Sequence, residues 1–128
     1  MARRKVPTAS NREAGLRMLQ DSAELITRRS TAGVALINRY GGYGAVTGDE
    51  AMDALEALRV GDAEVDELVW ELLGGAVLAG ASIGEVSDRT GIPKRTLTRR
   101  LPTWATELAG QHLVRDRKAP RGWRVDER

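Results

Sequence analysis

Apolar residues recur at helical spacing through most of the chain and at strand-like spacing only near its end. Asn11 is placed to cap a helix running to about Arg29, with Leu16, Leu19, Ala23 and Ile26 on one face. The apolar stretch from Val34 to Tyr40 either continues that helix or forms a separate one, and Gly33 argues for a break. Gly41, Gly42, Gly44 and Gly48 mark a loop. Thr47 and Glu50 have capping-box spacing, which predicts a helix to about Arg59 that buries Met52, Leu55 and Leu58. Gly61 then ends that helix and Asp62 caps the next. There Val65, Leu68, Val69, Leu72, Leu73, Ala76 and Val77 make the strongest amphipathic stripe in the chain.

A second capping box, Ser82 and Glu85, predicts a helix beginning at Ile83. Gly91 can adopt the left-handed conformation that ends it, and Pro93 fits the first turn of a following helix. Ile83, Val86, Ile92, Leu97 and Leu101 would bury one side of the pair. Lys94, Arg95, Thr98 and Arg99 are left on the other. The stripe continues through Trp104 and Leu108, but Pro102 predicts a kink or break near Leu101. Two strand-like segments, 110–116 and 123–126, flank the turn-rich run 117–122 and signal a hairpin with a basic tip.

With 128 residues, 41% of them hydrophobic and 30% charged, the chain is globular in class, and it has no Cys. Disulfides and thiolate metal sites are excluded by that count. No membrane span and no apolar leader is evident, so a cytoplasmic protein is expected. Net charge is only +2, yet it is unevenly placed. Residues 1–12 carry four basic and no acidic side chains, 30–80 two basic and nine acidic, and 81–128 eleven basic and six acidic. The two positive segments are the ones expected to face nucleic acid.

The run Thr90-Gly91-Ile92-Pro93-Lys94-Arg95-Thr96-Leu97-Thr98-Arg99-Arg100-Leu101 resembles the G-[VI]-S-x-x-T-[VL]-[ST]-R-x-L stretch of bacterial winged helix-turn-helix regulators. Gln111-His112-Leu113-Val114-Arg115 resembles the entry to their wing, and Gly122-Trp123-Arg124-Val125 its return strand. The resemblance covers residues 64–126 and departs from the family at Pro102 and at Gln111-His112. It implies a mostly α fold: an N-terminal helical region followed by a winged helix-turn-helix with a small C-terminal β-hairpin. The expected organisation is a flexible basic arm over 1–10, a helical region over 11–60 and the winged domain over 62–128. The implied function is sequence-specific binding of double-stranded DNA in transcription regulation, with no catalysis, cofactor or metal. Lys94, Arg95, Thr98 and Arg99 would enter the major groove, with Thr96 and Arg100 on phosphate. Arg117, Lys118 and Arg121 in the wing would meet phosphate or minor groove, with Arg3, Arg4 and Lys5 as a mobile addition. A homodimer is expected through Leu16, Leu19, Ala23, Ile26, Val34, Leu36 and Ile37, or else these residues pack within one chain. The alternative is an adaptor that uses the same fold to dock on a polymerase or a replication complex.

Other chemistries find little support. Tyr40-Gly41-Gly42-Tyr43-Gly44 lacks the Gly-Lys-Ser/Thr ending of a phosphate loop and reads as an interhelical connection. His112, the one histidine, reads as a structural or surface residue. Asp49-Glu50 and Asp66-Glu67 read as helix starts that complement the dipole. Trp70 and Trp104 read as core, whereas Trp123 belongs to the wing.

Overall fold

The computed structural model describes residues 5–40 and 47–127. The glycines expected as a loop at 41, 42 and 44, Arg3 and Arg4 of the expected arm, and the side chains of Leu36 and Ile37 lie outside the described residues. The chain forms α1 (Ala9–Tyr40), α2 (Gly48–Leu78), α3 (Ile83–Thr90), α4 (Lys94–Arg100) and a single turn, α5 (Trp104–Glu107). These are followed by β1 (Leu113–Arg115), a 3-10 turn (Pro120–Gly122) and β2 (Trp123–Val125). The protein is mostly helical, with a small antiparallel hairpin at its C-terminal end. No described helix is long and apolar enough to cross a membrane.

The break expected at Gly61 is absent, and of the two alternatives at Gly33 the helix continues. α1 runs through Gly33, and α2 runs through Gly61 and Asp62, so Asp62 and Asp66-Glu67 lie mid-helix rather than at helix starts. A glycine inside a helix costs about 1 kcal/mol relative to alanine, which packing can outweigh. A Cβ on Gly33 would lie 3.2 Å from Leu58, and one on Gly61 would lie 3.9 Å from the Arg29 carbonyl. Both glycines therefore lie on the seam where the helices pair.

The start of α1 also differs from expectation. The helix begins at Ala9, and Thr8 rather than Asn11 caps it. The Asn11 amide donates to Thr8 Oγ1 at 3.1 Å, while the Thr8 amide donates to Asn11 Oδ1 at 3.2 Å. This is the reciprocal logic of a capping box, with Asn in the Glu position. Residues 8–10 are consequently not an arm. Thr8 Oγ1 donates to the Gln111 carbonyl at 2.9 Å, and Ser10 Oγ accepts from the Leu113 amide at 2.8 Å.

The chain divides into two compact units: Met1–Asp21 with Trp70–Arg128, and Ser22–Val69. In the first, Ala14, Met18, Leu78, Leu113 and Trp123 form the core, with Trp104, Leu108, Ala109 and Val125 packed on it. The face of α1 that is buried here is Asn11, Ala14, Gly15 and Met18, whereas Leu16 is 52% exposed. Small residues are inside because α1 and α2 touch backbone to backbone. A Cβ on Gly15 would come within 2.5 Å of the Gly75 carbonyl and the Ala79 amide. β1 and β2 pair Leu113 with Val125, Val114 with Arg124 and Arg115 with Trp123.

In the second unit the two helices pair antiparallel, with Gly33 by Leu58 and Arg29 bonded to Glu64 at 3.1 Å. Ala54 is buried, and Met52 and Leu55, expected inside, are 60% and 44% exposed. The stripe expected in this helix was centred on the large residues. The observed inner face centres on Ala54, whose small side chain permits the close pairing.

Candidate nucleic-acid interface

Local chemistry builds the α3–α4 pair. Ser82 Oγ accepts from the Glu85 amide at 3.1 Å and donates to Glu85 Oε1, so the expected cap forms. Gly91 ends α3 at φ 74°, and its amide donates to the Ser87 carbonyl. The Ile92 amide then donates to Thr90 Oγ1. Pro93 sits at the cap position of α4, one residue before the first turn in which it was expected. Val86, Leu97 and Leu101 are buried between the elements. Leu101 leaves the helix at ψ 142°, the extended conformation favoured before proline, so α4 stops after seven residues at the expected break.

With Leu97 inward, Lys94, Arg95, Thr98 and Arg99 are exposed on the opposite side of α4. Thr98 Oγ1 donates to the Lys94 carbonyl at 2.9 Å, which turns its lone pairs outward. Lys94, Arg95 and Arg99 make no ion pair with another described residue. Thr96 is half-buried, at the flank of that face. Arg100 is turned aside, with its guanidinium 4.7 Å from the centre of the Trp70 ring on α2.

The hairpin divides its cations similarly. Arg117 and Lys118 are exposed at the tip without an ion pair among the described residues. Asp116 shapes the loop: its Oδ1 accepts from the Lys118 amide at 2.9 Å, and its Oδ2 pairs with Arg124 at 3.1 Å. Arg115 lies 5.7 Å from the centre of the Trp123 ring. Arg121 is held elsewhere. Its Nε and terminal nitrogen donate to the two oxygens of Glu71, both at 2.9 Å. Of the expected basic arm, Lys5 lies in an open groove of about 430 Å³ that Val6, Pro7, Arg12, Ala79 and Gly80 also line.

The six expected residues of α4 are thus brought onto one short helix, four of them on its free face. Arg117 and Lys118 remain available at the tip, and Arg100 and Arg121 are spent on α2. Asn11 was singled out only as a helix cap and Glu71 not at all, since nothing near either signals its distant partners. The unit containing α3, α4 and the hairpin carries sixteen basic and nine acidic side chains, against four and nine in the Ser22–Val69 unit. His112 is exposed, and no group of three metal-binding side chains is present among the described residues. No protein-family model, curated protein or solved structure matches the chain.

Proposed function

We propose that this protein binds double-stranded DNA in a sequence-specific manner and regulates transcription, with the Trp70–Arg128 segment acting as a winged helix-turn-helix. The observation that carries this reading is the free face of α4. Lys94, Arg95, Thr98 and Arg99 stand exposed on a helix held by its buried Leu97 and by the Gly91 turn. A short cationic helix of this kind suits the major groove, where Arg95 and Arg99 can each offer a fork to the two acceptors of a guanine. Arg117 and Lys118 on the following hairpin supply phosphate contacts that carry no sequence information. Selection of bound fragments from a random duplex pool tests the reading. A single enriched sequence whose binding Arg95→Ala and Arg99→Ala both weaken supports it. Uniform recovery of all fragments, or binding that neither variant changes, refutes it.

A second reading, a docking adaptor for another protein, is favoured by one observation. The Ser22–Val69 unit exposes Leu25, Val34, Met52, Leu55 and Val60. The same residues suit pairing with a second copy, which would present two α4 helices to two half-sites.

A further inference from the structure

The hairpin tip contains the one residue other than glycine at positive φ among the described residues, Arg121 at φ 60°, ψ 8°. The Gly122 amide donates to the Ala119 carbonyl at 3.0 Å across Pro120 and Arg121. The Trp123 amide likewise donates to the Pro120 carbonyl, so Arg121 and Gly122, both at positive φ, lie within two overlapping turns, where such a conformation ordinarily falls to Gly or Asn. A residue other than glycine persists in this conformation where the surrounding contacts fix it.

Three contacts hold it. Arg121 grips Glu71 through two parallel bonds, the geometry that a lysine cannot reproduce. Its guanidinium also lies 4.8 Å from the centre of the Trp104 ring. That ring is in turn pressed onto α2, where a Cβ on Gly74 would come within 3.0 Å of it. The Trp104 indole N–H is buried without a hydrogen-bond partner among the described residues. The ring therefore serves here through its face. Arg100 rests on Trp70, the neighbour of Glu71 in sequence. The end of α4 and the tip of the hairpin are thus anchored on the same turn of α2.

We infer that Arg121 is a positioning residue for duplex binding, one that stays on Glu71 and Trp104 and so aims Arg117 and Lys118 at phosphate. The inference rests on the DNA-binding reading, and it moves Arg121 from the contact residues to the scaffold. It makes a prediction opposite in sign to simple electrostatics. Removing the Glu71 charge should strengthen binding to a polyanion if Arg121 were thereby freed to touch it. If Arg121 is a brace, the same change should weaken binding, because the tip loses its placement.

The test is binding of the full chain to a mixed-sequence duplex over a range of salt, for wild type, Glu71→Gln and Arg121→Lys. Amide hydrogen exchange at Ala119 and Gly122 is followed in the free proteins. Both variants should bind about five- to tenfold more weakly, with a flatter salt dependence, and exchange faster at the tip. Arg121→Lys keeps the charge but loses the fork, so equal binding by that variant overturns the role. Tighter binding by Glu71→Gln, or unchanged exchange at the tip, overturns it too. A wild-type chain that binds no duplex overturns the DNA-binding reading itself, and is distinguishable because all three proteins then fail alike.

Discussion

Asn11 is fully buried, yet all of its side-chain hydrogen-bonding capacity is used. Oδ1 accepts from the Thr8 and Gly110 amides, and Nδ2 donates to the Leu108 and Gln111 carbonyls. The residue thereby ties the start of α1 to the chain entering β1. Asn11→Ala should lower stability by about 2–4 kcal/mol, because buried partners lose their bonds together. Asn11→Asp should be no better, since a carboxylate cannot donate to the two carbonyls. Denaturant unfolding of the two variants checks this, and a loss of under 1 kcal/mol for both would refute it. On the DNA side, Arg99 is exposed and carries no ion pair among the described residues, so its full donor set is available. Arg99→Ala should cost about 1–3 kcal/mol on the preferred duplex and relax specificity at one base pair. Competition binding against single-base variants of the selected site measures both effects.

Among the elements, the crossing of α1 and α2 depends on two glycines. A Cβ on Gly75 would fall 2.8 Å from the Gly15 carbonyl and 2.9 Å from the Leu19 amide. Helix propensity alone would make Gly75→Ala stabilising by about 1 kcal/mol. The backbone contact reverses the sign, and we expect a loss of about 2–3 kcal/mol as the helices are forced apart. Thermal unfolding decides between the two signs. The α3–α4 pair and the hairpin were legible in sequence because their signals lie within a few residues. Ser82 and Glu85, Gly91, and Leu101 before Pro102 each act on backbone four or fewer positions away. The faces of α1 and α2 were legible in part: Leu19, Ala23, Ile26, Leu58 and the stripe from Val65 to Val77 are buried or half-buried as expected, but the residues at the closest approach were missed. A count of large apolar residues places Leu16, Met52 and Leu55 inside, whereas close helix pairing selects Ala14, Gly15, Ala54 and Gly75.

For the molecule as a whole, charge and apolar surface are separated along the chain. The basic unit contains the proposed interface, and the acidic Ser22–Val69 unit contains five of the seven exposed large hydrophobic residues among those described. Neutralising Arg117 or Lys118 should weaken binding to every duplex alike and flatten the dependence of log affinity on log salt by about one unit each. A slope unchanged in the double variant removes the hairpin from the interface. If the exposed apolar residues pair two copies, light scattering at micromolar concentration should give a dimer, and Met52→Glu with Leu55→Glu should return it to monomer. A strict monomer, free and on DNA, would leave the DNA-binding proposal standing and remove the dimer.

Caps, turns and the cationic side of α4 follow from residues a few positions apart, whose steric and hydrogen-bonding preferences act before any tertiary contact forms. The pattern of Lys94, Arg95, Thr98 and Arg99 around Leu97 belongs to that class. Which cations stay available does not. Arg121 meets Glu71 from 50 residues away, and Asn11 meets Gly110 across 99. Neither pair has a local signature, because a side chain's distant partner is chosen by how the helices pack. That packing was set by small residues at the seams, where the absence of a side chain lets two backbones meet.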